Sequence, residues 1–160
     1  MFKKVTAIIL ATVITTTLFP QTDAARADTG TPAAPLSLTV IVSGADANKG
    51  QVMARLFSSA ESYTKEAYAT QTAAVDSDGK ATLVFEGLPA GDYAFSAFYD
   101  RDSDGKMKKN FLGIPREKFG FSNNAAPSMG PPSYEKARFT LGPNNTHQSI
   151  TVYALGDHKK

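Results

Sequence analysis

An alternation of acidic residues that begins at residue 100 has the clearest chemistry in this sequence. Asp100, Asp102 and Asp104 stand at alternate positions, and Gly105 follows them directly. Carboxylate oxygens at the first, third and fifth places of a loop can converge on one hard cation, and a glycine at the sixth place permits the sharp turn that comes next. The pattern is the first half of a calcium-binding loop and predicts a Ca2+ site.

The second half of that motif does not follow. The ninth place holds Lys108, and the twelfth place, where a bidentate glutamate is usual, holds Phe111. A later carboxylate, Glu117, is near enough in sequence to complete the shell, so the candidate metal ligands are Asp100, Asp102, Asp104 and Glu117. The alternative is a solvated turn whose acids pair with neighbouring basic residues, namely Arg101, Lys106, Lys108 and Lys109.

These acids open a long segment without a periodic pattern, residues 100–136. Loops of this length in a compact domain are usually functional or disordered. This one carries large apolar side chains that are unsuited to water, at Phe111, Ile114, Phe119, Phe121 and Tyr134. We therefore predict an ordered excursion packed over one end or edge of the domain, which serves either as a packed loop or as the wall of a ligand pocket.

The elements that must position this segment are short strands separated by turns. Apolar and polar residues alternate, or apolar residues cluster, in seven runs, at 36–42, 52–57, 72–75, 81–85, 93–99, 137–141 and 148–154. Residues 58–70 are interpreted as a short helix or a loop, and the turn cluster 76–79 predicts a hairpin between the third and fourth runs. The pattern predicts an all-β fold, a single β-sandwich of about seven strands with a long ordered loop.

One segment between two predicted strands resembles a known signature. Residues 85–93, FEGLPAGDY, are similar to the strand–turn–strand signature of prealbumin-like, or transthyretin-like, sandwiches with Ig-like architecture. Phe85 and Leu88 are predicted to enter the core, and Pro89 fixes φ at the turn. This resemblance concerns the fold and implies no activity, because one fold carries many functions.

Two further segments carry a resemblance to a family. Residues 111–124, FLGIPREKFGFSNN, and residues 130–137, GPPSYEKA, follow a D-x-[DN]-x-[DN]-G loop. Together they resemble an uncharacterised family of exported bacterial proteins, a domain of unknown function. The resemblance implies a prealbumin-like sandwich and export, and it brings no activity. Family loops commonly carry another Asp where this chain has Lys108, and that departure weakens the case for a metal here.

The first 27 residues are typical of a signal peptide. A basic start is followed by an uncharged apolar run at residues 5–19, and Ala25-Arg26-Ala27 offers a cleavage site. The run is shorter than the roughly 20 residues of a transmembrane helix, so a retained anchor is the less favoured alternative. We predict cleavage after Ala27 and a periplasmic or extracellular location. The mature chain then has a flexible lead-in (28–35), a sandwich domain (36–155) and a polar tail (156–160).

Composition excludes several classes of protein. The sequence of 160 residues has no Cys, which excludes a disulfide scaffold, a thiolate zinc site and a cysteine nucleophile. Loss of the leader removes Lys3, Lys4, Arg26 and Asp23 and leaves 14 basic and 14 acidic side chains. A net charge of zero gives no electrostatic reason to expect nucleic acid as a partner, and we expect no stable membrane insertion after cleavage.

Three classes of function stay open. The first is a non-enzymatic binding or structural module with an unknown small-molecule or protein partner, and the second is a protein-interaction module. The third is a periplasmic hydrolase that uses the loop carboxylates. Neither His147 nor His158 has an obvious nucleophile or metal ligand beside it in sequence. A sugar-binding platform would have to use tyrosines that are more typical of a core edge, namely Tyr63, Tyr68, Tyr99 and Tyr134. We expect the first class and no enzymatic activity.

Overall fold

The computed structural model describes residues 34–157. The predicted signal peptide, most of the predicted lead-in, and the end of the predicted tail with His158 lie outside the described residues. Within residues 34–157 no helix is long and apolar enough to cross a membrane.

Two sheets make up the all-β fold that the sequence predicts. The strands in chain order are β1 (Leu36–Ser43), β2 (Gln51–Phe57), β3 (Ala69–Ala74), β4 (Ala81–Leu88), β5 (Gly91–Asp100), β6 (Phe119–Phe121), β7 (Phe139–Leu141) and β8 (His147–Thr151). One sheet has the order β4-β1-β8, in which β1 is antiparallel to β4 and parallel to β8. The other has the order β3-β2-β5-β6, and β7 also pairs with β5.

The main core lies between the two sheets. It takes every second residue of β1, β2 and β5, because successive side chains of a strand point to opposite faces. Leu38, Val40, Leu56 and Phe95 are all fully buried there. The alternation that predicts these strands is therefore the alternation that builds the sandwich.

The turn at residues 85–93 also behaves as the sequence predicts. Phe85 and Leu88 are 1% and 2% exposed and belong to the main core. The hydroxyl of Tyr93 donates to the carbonyl of Pro89 at 3.1 Å, which ties the start of β5 to the turn before it. Gly87 has φ of 72°, a conformation that favours glycine.

The predicted hairpin between the third and fourth runs is wrong. β3 pairs with β2 and β4 pairs with β1, so the turn at 76–80 carries the chain from one sheet to the other. The turn itself forms, since the backbone N–H of Asp76 donates to the carbonyl of Lys80 at 2.7 Å. Turn chemistry is local, whereas the choice of pairing partner depends on which neighbours bury the strand.

The long segment is ordered, as predicted, but it is not a plain loop. It contains β6, a 3-10 turn (Ser122–Asn124) and a one-turn helix (Tyr134–Ala137). β6 pairs antiparallel with β5 and is the strand that the sequence analysis missed. Residues 58–68, before β3, form turns rather than a regular helix, and Ala137 ends the one-turn helix instead of beginning β7.

Candidate functional site

The outer face of the five-stranded sheet, which points away from the sandwich core, brings the candidate functional residues together. Residues directly opposite each other on paired strands point to the same side of a sheet. Gln51 therefore lies beside Asp100, and Arg55 lies beside Ser96. Across β6 the same rows continue from Ser96 to Phe121 and from Phe98 to Phe119. One face thus carries an acid at one end, aromatic rings in the middle, and a guanidinium with a hydroxyl beside it.

A second apolar cluster covers much of this outer face. It contains Phe57, Tyr63, Ala94, Phe98, Phe119, Phe121 and Ala137. Phe119 and Phe121 are both buried, and their rings meet edge to face at 5.9 Å. The prediction that the apolar side chains of the segment pack onto the domain is wrong for Phe111, which is 94% exposed, and is confirmed for these two phenylalanines. Their place on β6, hydrogen-bonded to β5, is the means by which they do so.

Asp100, the last residue of β5, is the fully buried acid of this face. Its Oδ2 accepts hydrogen bonds from Gln51 Nε2 and from the backbone N–H of Gly105, both at 2.8 Å. Its Oδ1 accepts from the backbone N–H of Asp104 at 3.2 Å. Burial alone would raise the pKa of Asp100, but these hydrogen bonds outweigh it and hold the pKa below its ordinary value. Asp100 therefore fixes the acidic loop in its turn.

Two further candidate ligands lie beside Asp100. One carboxylate oxygen from each of Asp100, Asp102 and Glu117 lies within 4.8 Å of the other two. Ligand oxygens on opposite sides of Ca2+ are about 5 Å apart, so this cluster could hold a metal ion. Asp104 is not part of the cluster. Its Oδ1 accepts from the backbone N–H of Lys106 at 2.9 Å, which closes a small turn of its own.

Lys108 places a positive charge among the same acids. Its Nζ forms an ion pair with Asp102 and lies 3.7 Å from Asp104 Oδ2. The hydrogen bond to Asp102, with the attraction of the neighbouring carboxylates, raises the pKa of the Lys108 ammonium. The residue at which the sequence departs from a calcium motif thus supplies a tethered cation to the loop.

The other basic residues proposed as partners of these acids behave differently. Arg101 pairs with Asp46 instead, with its Nε 3.1 Å from Asp46 Oδ2. Lys106 and Lys109 form no ion pair within the described part of the chain. The predicted lysine-paired turn therefore rests on Lys108.

Glu117 has the opposite electrostatic environment to Asp100. Its Oε2 accepts one hydrogen bond, from the backbone N–H of Lys108 at 3.1 Å. Burial raises the pKa of Glu117 above its ordinary value, and repulsion by Asp100, Asp102 and Asp104 acts in the same direction against that one hydrogen bond. A cation bound among these carboxylates would relieve the repulsion.

Next to the acidic cluster, the long segment leaves a cavity of about 730 Å³ over the outer face. The sheet contributes its floor, with Arg55, Ser96, Phe98, Phe119 and Phe121. The segment contributes side and roof residues, among them Met107, Lys109, Ile114, Pro115, Pro127 and Met129. Most lining residues are apolar, Gly or Pro, and the charged ones are Arg55 and Lys109.

A ligand pocket is one of the two predictions for the long segment, but the sequence pattern does not indicate which polar residues line it. Arg55, Ser96 and Lys109 are far apart in sequence, and only the pairing of β2 with β5 and the fold of the segment bring them together. A signal was present in β5. Residues 93–99, YAFSAFY, are apolar except for Ser96 and lack the alternation of a strand with one face in water. Such a run indicates that something covers the outer face.

The remaining candidates do not form a second site within residues 34–157. Tyr63 and Tyr99 are buried and Tyr134 is half-buried, as the core-edge interpretation expects, whereas Tyr68 is 51% exposed. Burial raises the pKa of Tyr63 to about 12. His147 is exposed at the start of β8, with its Nδ1 3.0 Å from the hydroxyl of Thr146.

A comparison with known proteins identifies the family. Residues 40–149 match the model of a family described as "Uncharacterized protein conserved in bacteria (DUF2141)". No curated protein and no solved structure matches the chain. The matched region runs from β1 into β8 and includes the acidic cluster and most of the lining of the cavity. The family resemblance inferred from the sequence is confirmed, and the chain belongs to this uncharacterised bacterial family.

Proposed function

We propose that this protein is an exported, non-enzymatic binding module whose ligand site is the cavity over the outer face of the five-stranded sheet. The observation that carries the proposal is the cavity itself. Its volume of about 730 Å³ falls within the range of small-molecule sites, which are mostly apolar with a few placed polar groups. The sandwich supplies the floor of the site, and the long segment supplies its sides and roof.

A hard cation is the second part of the proposal. Calcium or a similar ion would bind between Asp100, Asp102 and Glu117, whose oxygens lie within 4.8 Å of one another. The site is continuous with the cavity wall, because Met107 and Lys109 line the cavity and follow the acidic loop directly. An ion that binds only the folded state stabilises it, so its role would be to order this wall. Lys108 competes with the ion for Asp102, with which it forms an ion pair.

The proposal of a non-enzymatic protein has support from the acidic cluster. A carboxylate-pair hydrolase needs one accessible acid and one accessible base. The Asp100 side chain is fully buried and accepts three N–H donors, which suits a structural acid. Asp102 and Asp104 are exposed, but both pair with Lys108, which holds them away from the role of a free acid or base. The hydrolase that uses Asp102 or Asp104 with Glu117 remains the second candidate, favoured by the raised pKa of Glu117. Its test is whether Glu117→Gln changes any hydrolytic activity that the purified protein has on glycosides or esters.

A protein-interaction module is the third candidate, and a different observation favours it. The side chains of Phe111 and Leu112 are 94% and 67% exposed. They are held at the tip of a built turn, in which Asn110 Oδ1 accepts from the N–H groups of Leu112 and Ile114 at 2.9 and 3.0 Å. The double substitution of Phe111 and Leu112 by Ser would abolish binding to a partner at this tip and would leave the cavity unchanged.

Export rests on the sequence pattern of residues 1–27. The expected result is a mature protein in the periplasm or the culture medium of a bacterial host, with Asp28 as its first residue. Intact mass and N-terminal sequencing of the protein from each fraction test this. A full-length protein retained in the membrane fraction would contradict it.

The binding proposal is tested with a neutral apolar fluorophore, N-phenyl-1-naphthylamine, titrated into the protein. We expect saturable binding, with fluorescence enhancement, that Ser96→Leu abolishes because the larger side chain fills the floor beside Arg55. Ser149→Leu is the matched control, since Ser149 is an exposed strand residue of the other sheet. No saturable binding to the wild type, or equal loss in both variants, would contradict a site in the cavity.

The cation is tested by thermal unfolding in chelator and then in millimolar Ca2+ or Mg2+. We expect a calcium-selective rise in Tm of several degrees that is lost in Asp102→Ala. An ion present at 100 times its Kd raises the free energy of unfolding by about 2.7 kcal/mol. No shift with either ion would leave Lys108 as the resident cation of the loop.

A further inference from the structure

We infer that the cavity takes an anionic amphiphile, an unbranched apolar chain with a single carboxylate or comparable anionic head. This inference rests on the proposed binding function and adds the chemical class of the ligand. The head would lie against Arg55 and Ser96 on the sheet, and the chain would lie along the aromatic floor formed by Phe98, Phe119 and Phe121.

Arg55 supplies a cation without an acidic partner. It is half-buried on β2, its guanidinium carbon lies 5.5 Å from the centre of the Phe57 ring, and its Nη2 donates to the backbone carbonyl of Lys65 at 3.1 Å. No carboxylate pairs with it among residues 34–157. Arg138, in contrast, binds Asp92 at 2.6 Å and Glu135 at 2.7 Å. The remaining donors of Arg55 fit an anion that residues 34–157 do not provide.

A hydroxyl and a second cation complete the polar part of the cavity. Ser96 lies directly across from Arg55, and its hydroxyl makes no hydrogen bond within the described residues, so it can donate to the same anion. Lys109, on the segment, also lines the cavity and has no ion pair in residues 34–157. Because the described residues of the lining include two cations and no carboxylate, its charge is complementary to an anion.

The rest of the lining is suited to a hydrocarbon chain. Met129 and Leu155 border the cavity and are 108% and 51% exposed, and Ile114 is 37% exposed. A ligand that covers apolar surface of this kind removes it from water, which favours binding in proportion to the area covered. A small hydrophilic anion would leave this surface in water, and a neutral apolar molecule would leave both cations without a partner.

The test is displacement of N-phenyl-1-naphthylamine by four probes, namely decanoate, decan-1-ol, decyltrimethylammonium and acetate. Decanoate and decyltrimethylammonium are kept below their critical micelle concentrations. We expect decanoate to displace the fluorophore at a concentration about tenfold below that of decan-1-ol, as one charge-assisted hydrogen bond would provide. Decyltrimethylammonium should be weaker than both, and acetate should have no effect.

Variants of the two cations assign the head group. Arg55→Gln should remove the roughly tenfold preference for decanoate over decan-1-ol, measured as the ratio of the two displacement constants within the same variant. Lys109→Gln, on the exposed segment, should weaken decanoate less, by about threefold, and it keeps the test valid if Arg55→Gln folds poorly. Lys80→Gln is the matched control, an exposed lysine that does not line the cavity.

Equal displacement by decanoate and decan-1-ol would overturn the inference and leave the binding proposal standing, since the fluorophore would still bind. An equal loss of decanoate affinity in Lys80→Gln and Arg55→Gln would also overturn it, because the effect would then be one of net charge. Failure of the fluorophore itself to bind is a different result and counts against the proposed function.

Discussion

The two faces of β5 are buried in different ways. The inner face meets the three-stranded sheet, and its residues, such as Phe95, are closed on every side by strands of regular pattern. The outer face is covered by irregular chain, residues 58–68 and 100–136, which leaves an open cavity, an acidic cluster and two cations that have no acidic partner among the described residues. Both faces bury aromatic rings, so burial alone does not separate packing from function. The polar groups distinguish the outer face, which we propose as the functional one.

The largest difference is expected from aromatic truncation on the two faces. Phe95→Ala removes a fully buried ring that meets Phe139 edge to face at 5.9 Å, and should destabilise by about 4 kcal/mol. Phe121→Ala should cost about 2 kcal/mol, because one side of its ring already borders the cavity. Urea unfolding of both variants measures this. A loss for Phe121→Ala as large as that for Phe95→Ala would show that the outer face is packed as tightly as the core.

A second difference lies within the acidic cluster. Asp100→Ala leaves the Gln51 amide and the N–H groups of Asp104 and Gly105 without their acceptor, and should destabilise the metal-free protein by about 3 kcal/mol. Asp102→Ala removes an exposed ion pair with Lys108 and should leave metal-free stability nearly unchanged. Chemical denaturation in chelator separates the two roles. A collapse of the Asp102→Ala protein would make that side chain structural too.

Removal of the Lys108 ammonium should strengthen Ca2+ binding by the acidic cluster. Lys108→Gln frees Asp102 and Asp104 from their ion pairs, so Ca2+ affinity should rise about threefold. Lys106→Gln makes the same change in charge at a neighbouring exposed lysine that has no ion pair in the described residues, and should have a smaller effect. Calorimetric titration of both variants tests this. Equal gains would indicate a general effect of charge.

The smallest expected effect concerns the ionisation of Glu117. Because its pKa is raised in the folded protein, the folded state holds this proton more readily than the unfolded chain does. The ionised carboxylate therefore destabilises the metal-free protein at neutral pH, and that cost disappears as the pH falls through the folded pKa and below the ordinary carboxyl range.

Glu117→Gln should accordingly raise the Tm in chelator by about 1–2 °C at pH 7, with a difference that shrinks towards pH 4. The variant should lose any stabilisation by Ca2+. Thermal scans across this pH range check both statements, and a lower Tm at pH 7 would contradict the repulsion among these acids.

Local sequence patterns predict the strands and the core between the two sheets well. The alternation of Leu38, Val40 and Val42 predicts β1 and its core face, and the turn residues around Pro89 predict where β5 begins. Such features depend on neighbours within a few residues, which a sequence displays directly. The turn at 100–105 is also a local feature, because Asp100 accepts hydrogen bonds from N–H groups four and five residues ahead.

The outer face of the five-stranded sheet depends on contacts between residues that are distant in sequence, and local patterns do not reveal them. β6 has three residues, too few to show a period, and it is a strand because β5 offers it an edge. Arg55 becomes a neighbour of Ser96, 41 residues later, through strand register alone. The competition between a metal and Lys108 likewise depends on where Nζ lies among the carboxylates.

The most direct test of the central claim, that the outer face and its covering segment form the ligand site, is amide hydrogen exchange with and without N-phenyl-1-naphthylamine. We expect the ligand to slow exchange in residues 106–131, which include β6, and to leave exchange in β1, β4 and β8 unchanged. Protection confined to β1, β4 and β8, or no change anywhere at saturating ligand, would contradict it.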